Sequence, residues 1–432
     1  MMPPSLWRSE WTLPDDVLYL NHGSFGPSPR CVQAAFEDWS RQLERQPMNF
    51  YLRQMEDALD ESLNVLAKFV GTSRDCLVFS DNATTAMNVV AASVPLQGGD
   101  EVLLTDHEYG AVFRIWRRTA QKAGARVVTA ELPDPLDDPD AVVDAIMSRV
   151  TERTRLIVVS HVTSPTAVVL PVEAVCRRAR ERGVPVCIDG PHAIAMLPVE
   201  LRKLDCDFYS ASCHKWLCGP LGSGFLYVAP RQQKHLVPSI ISWGGSVSGR
   251  QASWKDEFNW IGTRNPASFL AIKSAIEFLK QPARGLMPSE EAATLSSRDR
   301  KGVLTGTDLR PLPNGRGSIL HSALDEFRHH ARELMHFAAE QIGAVTSLPP
   351  FVSDIDQWCG SMLALPLPMQ GDPPKPGHRD PLQDALWERH RIEAPVVHWK
   401  GRRFIRVSAH LYNTTDEITQ LADALRSWLS EE

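Results

Sequence analysis

Two rhythms of apolar and polar positions run through this chain. From Met55 the residues Met55, Leu59, Leu63, Leu66 and Val70 recur at helical spacing, and Gly71 supplies a stop. Short apolar runs then predict strands at 76–80, 101–105, 126–130, 156–160, 184–188, 207–211 and 224–228. Helical patterns fill most of the gaps, at 84–94, 111–123, 140–150 and 172–182. Apolar strands alternating with amphipathic helices predict an α/β fold whose mainly parallel sheet is covered on both faces. Ligands of such sheets bind outside the carboxyl ends of the strands, so residues just past a strand share one rim.

The flanking regions read differently. Residues 1–50 form an N-terminal segment that begins with irregular, proline-containing sequence and holds the glycine-punctuated loop Leu20-Asn21-His22-Gly23-Ser24-Phe25-Gly26-Pro27. A large domain is expected over 51–280, ending in a helix over 266–280. The polar stretch 281–318 breaks the pattern and reads as a disordered surface insert. A smaller α+β domain, 319–432, follows. It opens with Leu324, Phe327, Leu334 and Phe337 at helical spacing, then has a strand at 362–365 and a proline-rich loop to Pro381. Two short strands through Val396 and Ile405 and a helix marked by Ile418, Leu421, Leu425 and Trp428 complete it.

Composition narrows the function classes. A chain of 432 residues buries a sizeable core, and a net charge of −6 gives no footprint for nucleic acid or a membrane surface. Eight cysteines without a Cys-x-x-Cys pair or a cysteine–histidine ligand spacing read as reduced, mostly buried thiols, with no metal site expected. The absence of an apolar leader or a bilayer-length run predicts a cytoplasmic protein.

Candidate chemistry collects on the predicted rim. Asn82-Ala83-Thr84-Thr85 opens a helix, where free amides and two hydroxyls suit a phosphate as well as they suit an ordinary cap. Asp106-His107-Glu108-Tyr109-Gly110 brings a histidine and an aromatic ring, either of which can stack on a flat ligand or simply pack. His161-Val162-Thr163-Ser164-Pro165-Thr166 is a polar loop. Asp189 ends an apolar strand, and a desolvated carboxylate needs a partner, whether an amide, an arginine or a pyridinium nitrogen. Ser212-Cys213-His214-Lys215 follows the next strand and offers an amine able to form a Schiff base. Any one of these has an ordinary structural explanation. Together they match what pyridoxal phosphate needs, a Schiff-base lysine and an acid for the ring nitrogen.

From about Asn21 onward the sequence resembles the class V aminotransferase family of fold-type I pyridoxal-phosphate enzymes, most closely the branch that includes isopenicillin N epimerase. The resemblance implies that Lys215 carries pyridoxal 5'-phosphate and that Asp189 faces its ring nitrogen. It puts His192 at the phenolic oxygen, Ser212 and His214 on the phosphate, and Ala83 and Thr84 at the helix terminus. Ser164 falls in the cofactor loop after the fourth strand, and Tyr109 falls where relatives stack a histidine on the ring. Arg406, within Phe404-Ile405-Arg406-Val407-Ser408, resembles the arginine that holds a substrate carboxylate, a task suited to a guanidinium fork. Gly262-Thr263 resembles the segment that reaches the neighbouring site of a homodimer. Asn21 and His22 are candidates for lining the substrate side.

Cysteine desulfurases of the same class carry a nucleophilic cysteine shortly before that arginine. Here the region reads Pro395-Val396-Val397-His398-Trp399-Lys400-Gly401, which disfavours persulfide transfer. The expected function is therefore a pyridoxal-phosphate enzyme acting at Cα of an amino acid or small peptide, with an epimerase or racemase first. A β-lyase of a sulfur-containing amino acid and an aminotransferase come next, and a catalytically idle cofactor-binding relative last. Inversion needs a second proton donor opposite Lys215, and Tyr109, His107 and His22 are the candidates.

Overall fold

The computed structural model describes residues 6–284, 321–369, 374 and 378–431. The insert expected over 281–318 lies, from residue 285 on, outside the described residues, as does most of 370–377.

The seven expected strands form one sheet: β1 (Leu77–Ser80), β2 (Glu101–Thr105), β3 (Arg126–Ala130), β4 (Thr154–Ser160), β5 (Val186–Asp189), β6 (Phe208–Ser212) and β7 (Gly224–Val228). Their order is β1-β7-β6-β5-β4-β2-β3, and β7 alone runs antiparallel, to both of its neighbours. Alternate residues of each strand enter different cores. Val102, Leu104, Val158, Cys187 and Leu226 pack with the helices Ala83–Ser93 and Gly110–Ala123 on one face. Leu103, Ile157, Ile188, Tyr209 and Phe225 belong to the larger core on the other. Both faces are covered, which is why the strands read as near-continuous apolar runs.

The helices end where local chemistry dictates. Asn82 Oδ1 accepts from the Thr85 amide at 2.9 Å to cap Ala83–Ser93. Gly124, at φ +68°, closes Gly110–Ala123 in the left-handed conformation that favours glycine. The sequence reading left the helix Arg30–Arg45 unassigned within the N-terminal segment. Its fully buried residues are Val32 and Leu43, with Phe36 and Trp39 half-buried between them at helical spacing, so the apolar stripe is present in the sequence.

The C-terminal part is an antiparallel sheet of β8 (Met362–Leu367), β9 (Val396–Trp399) and β10 (Arg402–Ser408), with β10 central. Helices Ala323–Thr346 and Thr415–Ser430 pack together beside it. The N-terminal segment runs along this part. Leu18–Tyr19 pairs in parallel with Ile392–Glu393, and the Ser408 amide donates to the Leu20 carbonyl at 2.9 Å. Trp7 and Trp11 meet Phe278 edge-on at 5.6 and 5.4 Å, tying the same segment to the large domain. Residues 20–26 consequently lie between the two parts of the molecule.

Candidate active site

Parallel register brings the rim residues together. Asp189 is aligned with Ser160 on one side and Ser210 on the other, and β6 then leads through Ser212 to Lys215. Gly190 makes this packing possible. A Cβ there would stand 2.1 Å from the Tyr209 ring, so only glycine fits.

The Lys215 amine lies 3.0 Å from His192 Nε2, while Trp216 Nε1 donates to His192 Nδ1 at 3.3 Å. An Nδ1 that accepts carries no proton, so the neutral ring bears its hydrogen on Nε2 and presents it to Lys215. That pairing requires an uncharged amine. Burial, reinforced by the Arg406 charge and opposed by Asp189, lowers the Lys215 pKa to about 7.

Asp189 is 4% exposed, and Ser210 Oγ donates to its Oδ1 at 2.8 Å. Burial raises its pKa to about 6, and among the described residues it forms no ion pair. Of the partners open to it in the sequence, an arginine is therefore ruled out among the described residues.

At the start of the helix Ala83–Ser93 the Ala83 amide donates to Ser212 Oγ at 3.1 Å. Thr84 beside it is exposed, and half-buried His214 sits 3.3 Å by Nδ1 from the Ser223 carbonyl. Thr263 is exposed on the segment whose Gly262 has φ +112°, and Arg264 pairs with Asp81 at 3.1 Å, next to the helix cap.

Across the cleft, Arg406 is 6% exposed and has no acidic partner among the described residues. Its Nη1 donates to the Ser164 carbonyl at 2.7 Å and its Nη2 to Ser24 Oγ at 2.8 Å, while its buried Nε has no partner. Burial lowers its pKa to about 10, so it stays charged at neutral pH. A desolvated, uncompensated cation with a vacant donor is built for an anion. Ser24 was not singled out from sequence. Its partner lies 382 residues away, and only the loop that holds it was noticed.

Three candidates sit differently from expectation. Asn21 and His22 are not exposed: Asn21 bridges the backbone of Ser408, and His22 is wholly buried behind the cleft. The His22 Nε2–H donates to the Lys215 carbonyl at 3.1 Å, and its Nδ1 then accepts from the Tyr412 hydroxyl at 2.8 Å. His22 thus touches the lysine's backbone and not its amine. His107 is buried as well, with Nδ1 2.8 Å from Thr166 Oγ1 and its ring 4.3 Å from Trp399. Burial lowers its pKa to about 4. Tyr109, by contrast, is half exposed at the rim.

Folding also assembles groups that no sequence spacing announced. Cys218 Sγ lies 3.4 Å from His410 Nε2 and 3.8 Å from His22 Nε2, all buried. Both His22 nitrogens already have partners, and burial keeps the thiol protonated, so this is a hydrogen-bonded cluster beneath the lysine loop. Glu108, passed over in its loop, is buried and accepts from Thr105 Oγ1 at 2.8 Å, and from the Ser160 amide at 3.0 Å and hydroxyl at 2.6 Å.

The donor set fits pyridoxal phosphate. A neutral-leaning amine, a buried carboxyl without a cation and a helix terminus with a serine beside it surround one cleft. The sequence model of class V aminotransferases matches residues 19–345. The chain is 33% identical to isopenicillin N epimerase of Streptomyces clavuligerus over 98% of both chains. It is 24% identical to a protein of Arabidopsis thaliana named probable L-cysteine desulfhydrase, over 95% of this chain and 82% of that one. Among solved structures, the apo cysteine desulfurase of Thermococcus onnurineus matches with a TM-score of 0.74 at 19% identity, covering 100% of this chain and 99% of that one, which establishes the shared fold.

Proposed function

This chain belongs to the class V aminotransferase family, with pyridoxal 5'-phosphate as its cofactor, and from that premise we propose that it is an epimerase acting at Cα of an amino acid or small peptide. When bound, the cofactor supplies an electron sink that makes the Cα–H bond acidic. The remaining work falls to the chain's own residues. Arg406, held by Ser164 and Ser24, receives the substrate carboxylate and fixes which Cα bond faces Lys215. Asp189 would hold the ring nitrogen, accepting its hydrogen and balancing its charge. The Lys215 amine, near-neutral at pH 7, takes the Cα proton, a contribution worth ~10²–10⁴-fold.

The observation that carries this reading is the buried Arg406 guanidinium, which has no acidic partner among the described residues and shares a cleft with Lys215. Inversion rather than elimination is favoured by the full-length similarity to an isopenicillin N epimerase. The hairpin before Arg406, whose tip Lys400–Gly401 carries no cysteine and is pinned by Lys400 to Asp106, argues against persulfide transfer. For the second proton donor, Tyr109 is the candidate left once His22 and His107 are accounted for by their buried partners.

A homodimer is part of the proposal. Thr263, exposed on the single chain, would reach the phosphate of the partner site. No helix among the described residues is long and apolar enough to cross a membrane.

Incubating candidate amino acids with holoenzyme in deuterated water tests the reaction. Deuterium at Cα together with loss of optical purity is expected. Release of a keto acid or of sulfide, with optical purity retained in the remaining substrate, would replace this reading by transamination or lysis.

A further inference from the structure

Four buried polar side chains form a row across the rim of adjacent strands. Glu108 follows β2, Ser160 ends β4, Asp189 ends β5 and Ser210 lies in β6. Ser160 and Ser210 are the register partners of Asp189, so all three side chains share one face of the sheet. The two serines nevertheless behave differently. Ser210 Oγ donates to Asp189 at 2.8 Å, whereas Ser160 turns its hydroxyl away and gives it to Glu108 at 2.6 Å. The Ser160 amide and the Thr105 hydroxyl hold the other Glu108 oxygen at 3.0 and 2.8 Å, so the carboxyl group cannot rotate without losing both.

From this geometry we propose that Glu108 is a positioning residue that keeps Asp189 available to the cofactor's ring nitrogen by drawing the Ser160 hydroxyl to itself. The inference rests on the assignment of Asp189 to that nitrogen. A carboxylate that accepts two hydroxyl bonds is a weaker base than one that accepts a single bond, because each donor stabilises the charged form. With Ser160 diverted, Asp189 takes a side-chain hydrogen bond from Ser210 alone among the described residues, and its remaining capacity serves the N–H of the ring. No proton is consumed in this arrangement. Glu108 decides where one hydroxyl hydrogen points.

Glu108→Gln nearly preserves shape. Its amide nitrogen, placed toward Ser160 Oγ, would donate to that oxygen and free the hydroxyl hydrogen to turn to Asp189. Two measurements on purified protein read the effect: the dissociation constant for pyridoxal phosphate, and the 15N shift of the ring nitrogen in holoenzyme loaded with 15N-labelled cofactor. Glu108→Gln should weaken cofactor binding about tenfold, the equivalent of one unit of ring-nitrogen pKa, and move the shift toward the unprotonated form. Adding Ser160→Ala should recover most of that loss, because no hydroxyl remains to be turned; a merely structural role for Glu108 predicts no rescue. An unchanged shift in Glu108→Gln, or a double variant as impaired as the single one, would overturn the proposal. Should Glu108→Gln melt as an unfolded chain, Ser160→Ala alone decides. Its ring-nitrogen shift should match that of the wild type, and a displaced shift would mean that Ser160 serves Asp189 directly. Wild-type protein that takes up no cofactor would instead remove the premise, an outcome distinct from all of these.

Discussion

Trp216 donates its indole N–H to His192 Nδ1, and in doing so places the imidazole hydrogen on Nε2, the nitrogen that Lys215 meets. The residue next to Lys215 in sequence therefore acts on its amine through a third side chain. Trp216→Phe keeps the buried ring but removes the donor, so both His192 tautomers become accessible. Proton exchange at Cα should fall about tenfold, with little change in the melting temperature. Equal exchange rates in the two proteins would show that the indole N–H has no part in orienting His192.

Lys215 carries its own pH signature. Its pKa is about 7 in the fold and 10.5 in the unfolded reference, so between these values the unfolded chain holds a proton that the folded one lacks. Stability of the cofactor-free protein should therefore rise with pH across roughly 7 to 10 relative to Lys215→Met, which has no such group. Denaturant titrations of both proteins at several pH values measure the difference, and parallel curves would contradict the lowered pKa.

Arg406 should separate binding from folding. Arg406→Lys loses the fork that engages a carboxylate, and KM should rise about 10- to 100-fold, in line with a charge-assisted hydrogen bond of about 1.5–3 kcal/mol. Arg406→Met, in the absence of substrate, removes an uncompensated buried charge and should leave the melting temperature unchanged or higher. A large drop in melting temperature would assign Arg406 a structural task.

Asp189→Asn keeps the Ser210 hydrogen bond within reach but cannot balance a protonated ring. A loss of about 10²–10³ in turnover is expected, the range found when one preorganised electrostatic partner is removed. Turnover measured with saturating cofactor distinguishes this from weak cofactor binding.

If Tyr109 returns the second proton, Tyr109→Phe should still wash deuterium into Cα through Lys215 while the product keeps its original configuration. Chiral chromatography after exchange in deuterated water reads both at once. Inversion at the wild-type rate would exclude Tyr109 from that role.

Much of the scaffold was legible because short apolar runs and helical spacing are local. Glu101–Thr105, Arg126–Ala130 and Gly224–Val228 begin and end where the apolar runs do. Lys215 and Asp189 stood out as candidates because each follows such a run, and Arg406 because its segment resembles one of the family's. What escaped was produced by pairing at a distance. Ser24 gains its meaning from Arg406, and His22 from Tyr412, 390 residues away. Glu108 was hidden for another reason. Its significance depends on the register that sets Ser160 beside Asp189, and register is not written in either segment alone. His107 and Tyr109 were neighbouring candidates, with Tyr109 preferred for the ring from the resemblance; His107 is swallowed by Thr166 and Trp399 while Tyr109 is half exposed.

The loop 20–26 gives the molecule a seam. It presses Ser24 against Arg406 and His22 against the Lys215 carbonyl, so one short loop joins the strand 402–408 to the lysine loop. A nascent chain that has completed its seven-stranded sheet already owns its lysine and its acid. It has nowhere to seat a carboxylate until residues 402–408 emerge and join the waiting loop, so the scaffold for the cofactor can form before the substrate's half of the site exists.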